Sequence, residues 1–271
     1  TIRSLLYSPH QRATLNPMQV MKTKSVPGSP SNWRQLRGFT LMELLAATAL
    51  IAILAAVLLP TLARTKAKGQ QIRCLGNMQQ LMRATHLYAN DFDNYLPFCG
   101  AFPPPVQATY SNCWAYAWSP SGNHPEQGQL WPYHHSLELL MCPWENTNAA
   151  YFKPRFDPRY EAVTSYNFSS SASGFPTVRE GPDAWNKGVG LKLNPFRADA
   201  ILAWEPPETT PYILNDGAVE PWEYCTKRHQ GGGIIGCYGG GAEYMTYKAF
   251  FVEEKRKPGR IWCNPNSPTG D

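Results

Sequence analysis

The sequence predicts an α+β protein: a long N-terminal helix packed on a small antiparallel sheet with long loops. Three observations predict it. Residues 39–62 form an apolar run broken by one charge, Glu43, and one proline, Pro60. An amphipathic stretch, residues 61–90, follows with no turn signal between. Beyond it, residues 91–271 hold twenty prolines, seventeen glycines and eight of the nine tryptophans. Such a segment reads as short strands and extended loops packed around aromatic side chains.

The first 38 residues are basic and lack periodicity. They carry Arg3, Arg12, Lys22, Lys24, Arg34 and Arg37 and no acid. The whole chain has a formal charge of +5, but the remainder holds nineteen basic and twenty acidic residues. The basic excess is therefore a targeting feature, and nucleic acid is not expected as a partner.

Residues 39–62 would make a helix of about 36 Å, enough to cross a hydrocarbon core of about 30 Å. Hydropathy alone is satisfied by an ordinary signal anchor. Glu43 points further. A carboxylate at mid-bilayer depth costs about 2.5–3.5 kcal/mol, and less near the interface, so it is rarely idle. Basic residues flank both ends of the span, so charge does not fix its orientation.

From residue 61 to 90, Ile72, Leu75, Met78, Met82, Thr85 and Ala89 recur at spacings of three and four, beside Leu81 and Tyr88. This predicts a helix continuous with the span, its second half lying on a sheet. Gly69 and Gly76 weaken it by about 1 kcal/mol each relative to alanine. The polar cluster Asp91-Phe92-Asp93-Asn94 is its expected end.

Later elements are shorter. Phe102-Pro103-Pro104-Pro105 reads as a stiff loop, and residues 137–142 as a short helix or strand closed by Pro143. Tyr166-Asn167-Phe168 reads as a strand entering a serine-rich loop. Residues 200–205 are the clearest buried strand, stopped by Pro206-Pro207. Residues 228–245 read as strand, glycine turn, strand.

Seven cysteines (74, 99, 113, 142, 225, 237, 263) all follow the span, as in a compartment where disulfides form. No pair has the Cys-x-x-Cys spacing of a zinc knuckle or redox motif. Cys74 lies on the helix face and Cys142 closes a sheet-side element. Paired, they would staple helix to sheet, worth about 2–4 kcal/mol, although other cysteines compete.

Candidate chemistry is sparse. The two Gly-Gly-Gly runs lack the phosphate-binding pattern and read as hairpin turns. His229, with Arg228, Glu205 and Asp216, contains the groups of an acid–base site, but their spacing fixes no geometry. A hydrogen-bonded structural histidine is the simpler reading. His124, His134 and His135 lack the spacing of a zinc protease. Asp91, Asp93 and Asn94 offer calcium's preferred oxygens without the EF-hand pattern. Trp114, Trp118, Trp131 and Tyr133 read as core, or, if exposed, as a sugar-stacking surface.

Arg37-Gly38-Phe39-Thr40-Leu41-Met42-Glu43-Leu44-Leu45 resembles the cleavage signal of type IV prepilins and type II secretion pseudopilins. The resemblance implies cutting between Gly38 and Phe39 by a prepilin peptidase, and N-methylation of Phe39. Glu43 then falls at the fifth mature position, which the family keeps acidic and uses in assembly. Pro60 falls where many pilins carry a helix-kinking proline. Residues 74–81 and 88–97, from Cys74 to Leu81 and from Tyr88 to Pro97, resemble the branch with long C-terminal domains found in planctomycetes and verrucomicrobia. That branch carries a histidine, nine residues, then Asp-Gly. Here the spacing from His229 lands on Gly239-Gly240, so the aspartate is missing.

The resemblance implies four segments: leader 1–38, membrane and assembly half 39–62, amphipathic half 63–92, and C-terminal globular domain 93–271. The leader is long for the family, and Met18 and Met21 are candidate start residues. The implied function is structural, not enzymatic: a subunit of a type II secretion pseudopilus or related filament. A surface-displayed adhesive or glycan-binding pilin is the alternative. Implied partners are the peptidase, other pseudopilin subunits and an inner-membrane assembly platform. The implied location is the inner membrane, single-pass, with the C-terminal domain in the periplasm. No cofactor is expected, though family analogy allows calcium.

Overall fold

The computed structural model describes residues 38–99, 113–119, 122–144, 163–173, 189–207 and 217–270. Residues 1–37 of the predicted leader and the proline loop at residues 102–105 lie outside the described residues, as does Asp216. The architecture is α+β. By internal contacts the chain divides into a unit ending at Ala52 and a second unit beginning at Ile53.

Helix α1 runs over Leu41–Asp91. In the first unit it is apolar on every side. Phe39, Leu41, Met42, Leu44, Leu45, Leu50 and Ile51 are all exposed, Phe39 by 80%. A helix apolar all round and bare is built for lipid or for other helices, not for water. One window of α1 is long and apolar enough to cross a membrane. The helix runs unbroken through Pro60, which removes one backbone donor. Thr61 turns its hydroxyl back to the carbonyls of Val57 and Leu58, at 3.2 and 2.7 Å.

From Gln71 onward, within the second unit, α1 becomes one-sided. Cys74, Met78, Leu81, Met82, Thr85, Tyr88 and Ala89 are buried. Ile72, expected on this stripe, is instead 58% exposed. The buried face passes through Gln71 and Cys74, so the stripe begins one residue earlier than the aliphatic pattern suggests. Burying Met78, Leu81 and Met82 contributes about 1.5–3 kcal/mol each. The helix ends at Asp91, where Asp93 and Asn94 take left-handed backbone angles.

The strands that follow are β1 (Tyr95–Pro97), β2 (Ala117–Ser119), β3 (Gly122–His124), β4 (Asn167–Ser169), β5 (Val189–Lys192), β6 (Ile201–Trp204), β7 (Ala218–Val219), β8 (Gly232–Cys237) and β9 (Ala242–Thr246). Trp131–His134 form the short helix α2, and Tyr247–Glu254 form α3. Residues 138–140, within the stretch read as helix or strand, make one 3-10 turn.

The central sheet has the order β7-β4-β6-β8-β9. It is not wholly antiparallel as expected, because β7 pairs parallel with β4. Two two-stranded sheets, β1-β5 and β2-β3, stand apart from it. Both faces of the central sheet are covered. Ile234 joins the cluster that holds the α1 side chains, and its neighbour Ile235 joins one with Trp204, Phe250 and Ile261. A register shift between Ile201 and Ala203 puts Leu202 and Ala203 in the α1-side cluster together. That double burial is why β6 reads as a continuous apolar run.

The predicted hairpin is β8 and β9, turned by Tyr238, Gly239, Gly240 and Gly241. Only the second glycine run makes this turn. Gly232 and Gly233 of the first run lie within β8, where a Cβ on Gly232 would meet the β9 backbone.

Candidate functional site

Two places concentrate functional side chains. The first is the start of α1. Gly38 is exposed, with open space around it. Thr40 caps the helix: its hydroxyl accepts from the Glu43 backbone N–H at 3.2 Å. Glu43 reaches back, accepting from the Thr40 backbone N–H and the Thr40 hydroxyl, each at 2.9 Å. This is a capping box, and Thr-x-x-Glu is its sequence signature. Glu43 therefore has a polar partner within its own helix. What it lacks in that box is a counter-charge.

The second place is buried beside α1. Cys74 lies on the α1 face and Cys142 follows the 3-10 turn. Glu205 directly follows β6, and His229 stands in the turn before β8. All four side chains are buried. Their ligating atoms lie within 4.8 Å of one another. The Cys74 and Cys142 sulfurs are 2.8 Å apart, and Cys142 Sγ is 3.6 Å from His229 Nε2. His229 Nε2 is 3.0 Å from Glu205 Oε2 and 3.1 Å from Oε1. The Ile234 backbone N–H donates to Glu205 Oε2 at 2.8 Å.

The surroundings hold this cluster in place. Arg228, 6% exposed, donates to the Thr226 hydroxyl at 3.1 Å and to the Pro206 carbonyl at 3.0 Å. The Trp144 ring meets the His229 ring edge-on at 5.7 Å. A cavity of about 440 Å³, lined by Trp144, Thr226, Arg228 and Tyr247 among others, opens alongside.

Electrostatics favour a charged Glu205–His229 pair beside a Cys142 thiol that is held neutral. Burial alone would raise the Glu205 pKa, but His229, Arg228 and the Ile234 N–H hold it below the usual carboxylate value. Burial likewise opposes charge on His229, yet Cys142 and Glu205 beside it raise its pKa to about 9. The Cys74 contact and burial both push the Cys142 thiol up.

The structure brings Cys74 and Cys142 together as two free thiols 2.8 Å apart, without the disulfide raised from the sequence. It adds Glu205 and His229, which sequence spacing did not connect to the cysteines. The other candidates scatter. Asp91 accepts from the Tyr133 hydroxyl at 2.8 Å. Trp114, raised as a sugar-stacking residue, is fully buried, stacked on Phe168 at 4.3 Å. Trp131 and Tyr133 are half-buried, and the Trp118 side chain lies outside the described residues.

Comparison with known proteins bears on the first place. The prokaryotic N-terminal methylation motif matches residues 33–59. The chain is also similar to the type IV major pilin protein PilA of Myxococcus xanthus (strain DK1622). Identity is 27% over 164 residues, covering 58% of this chain and 65% of that protein.

The N-terminal region is type IV prepilin-like.

The match takes in Gly38, Phe39, Glu43 and the apolar half of α1, and stops one residue before Pro60. The alignment reaches less than two thirds of the relative's length. No solved structure matches the chain. Its apolar helix fits a single-pass membrane anchor.

Proposed function

We propose that this chain is a pilin-like filament subunit, cut between Gly38 and Phe39 by a prepilin peptidase and methylated on the new α-amine. The observation that carries this reading is the methylation motif lying on a bare helix that is apolar on all sides. Such a surface is costly in water and is covered by lipid before assembly and by other subunits after it. Its work is polymerisation from the inner membrane, without catalysis. Its partners are the peptidase, further subunits and an assembly platform, and its C-terminal domain, residues 93–271, faces the periplasm.

Within that reading the filament is of the type II secretion pseudopilus class, serving protein export. A second reading, a surface pilus with an adhesive role, is favoured by the similarity to a type IV major pilin. The two separate by experiment. Deleting the gene should abolish export of a periplasmic cargo in the first case. In the second, it should remove filaments that can be sheared from the cell surface.

Processing is tested by mass spectrometry of the membrane-extracted chain. The N-terminal peptide should begin at Phe39 and carry one methyl group. Residues 1–38 retained on the mature chain would reject the reading.

A further inference from the structure

We propose that Cys74, Cys142, Glu205 and His229 form a four-ligand site for a divalent transition-metal ion of the zinc class. The inference is independent of filament assembly. It departs from the sequence expectation that the chain takes no cofactor.

Geometry is the first support. Zinc binds sulfur at about 2.3 Å and imidazole or carboxylate at about 2.0–2.1 Å, so the edges of its tetrahedron run about 3.3–3.8 Å. The observed separations are 2.8, 3.6 and 3.0 Å around the cluster, and every pair is within 4.8 Å. Opening the sulfur pair by about 1 Å makes room for the ion.

Donor chemistry is the second. Two thiolates and an imidazole suit zinc and its soft or borderline neighbours, whereas calcium and magnesium require oxygen. Four protein ligands leave no open position, which makes the site structural rather than catalytic. Ligation through His229 Nε2 places the imidazole proton on Nδ1.

Charge is the third. Two thiolates, one carboxylate and a dication leave one negative charge. The buried Arg228 guanidinium, which acts on Glu205, supplies the balancing positive charge. The Ile234 N–H fixes one Glu205 oxygen and leaves Oε1 for the ion.

The four ligands come from α1, the segment after the 3-10 turn, the end of β6 and the turn before β8. One ion would thus fasten the helix to the sheet at a fully buried point. A disulfide between the same two sulfurs excludes this, because a bonded sulfur is no longer a thiolate ligand.

The test uses the full chain purified in detergent. Its metal content is measured by mass spectrometry, and the ion is then replaced by Co²⁺ alone under reducing conditions. The proposal expects about one zinc ion per chain, and a cobalt form with thiolate-to-metal charge-transfer bands. Those bands should fall by about half in Cys142→Ser and shift in His229→Gln. If the variants do not fold, the wild-type measurements decide alone. A chain that takes up neither zinc nor cobalt overturns the proposal. So does a Cys74–Cys142 disulfide peptide in a non-reducing map of periplasmic material.

Discussion

Gly236 of β8 lies directly under Met82 of α1: a Cβ built on the glycine would stand 2.6 Å from the Met82 sulfur and 2.9 Å from that of Met78. The missing side chain lets helix and sheet approach, and the two thioethers fill the gap. Gly236→Ala should cost about 1–3 kcal/mol through overpacking. The reduced entropy of the unfolded chain offsets only about 0.4–1 kcal/mol of that. Met82→Ala removes the obstructing group, so the double variant should lose less than the sum of the singles. Urea unfolding of the detergent-solubilised chain measures all three. A neutral Gly236→Ala would show that this approach is not tight.

Trp114 is a core anchor. Its indole N–H donates to the Gly217 carbonyl at 2.6 Å while its ring stacks on Phe168. Trp114→Ala should destabilise by about 3–5 kcal/mol. Trp114→Phe keeps the stack and loses only the indole hydrogen bond, since the Gly217 carbonyl still accepts from the Phe168 N–H at 3.1 Å; it should cost about 0.5–1.5 kcal/mol. Unfolding midpoints in that order support a packing role. Equal, negligible losses would return the residue to the surface.

Glu220 should make stability depend on pH. Burial pushes its carboxyl up to about 7, against an ordinary value of 4.5. Between about pH 4.5 and 7 the folded chain holds a proton that the unfolded chain has lost. This contribution is complete below 4.5 and disappears as pH rises through 7. Wild-type stability should therefore decline more steeply between about pH 4.5 and 7 than that of Glu220→Gln. Parallel profiles for the two would contradict the assignment.

The sequence made the helix and the apolar strand legible because their signals are local. The stripe at Met78, Leu81 and Met82 has a 3.6-residue period, and residues 200–205 are uniformly apolar. The hairpin was legible from its glycines. Ile72 misled because an aliphatic side chain was preferred to Gln71, whereas the helix rotation set by Cys74 and Met78 buries the glutamine. The parallel pairing of β7 with β4 depends on tertiary contact and has no local signature. The Thr40–Glu43 capping box is written in the sequence as Thr-x-x-Glu, but within an apolar span the same glutamate reads first as a charge in lipid. The buried cluster was not legible at all, since its four residues are spread from position 74 to 229 and only the folded sheet brings them together.

Glu43 carries the central claim, that the N-terminal helices assemble through a polar contact. On the proposed function, cleavage after Gly38 would create the α-amine of Phe39, and the carboxylate of one subunit could meet that amine in a neighbour. In a low-dielectric seam such a pair attracts strongly, and it sets register in an otherwise uniform apolar surface. The capping box offers a competing account, in which Glu43 only starts its own helix. Thr40→Ala separates the two, because it weakens the cap by about 1 kcal/mol and leaves the carboxylate in place. The measurement is filament yield from cells expressing each variant at wild-type level. Thr40→Ala should be cleaved and assembled, while Glu43→Val should be inserted and cleaved but absent from filaments. Normal filaments from Glu43→Val would contradict the account.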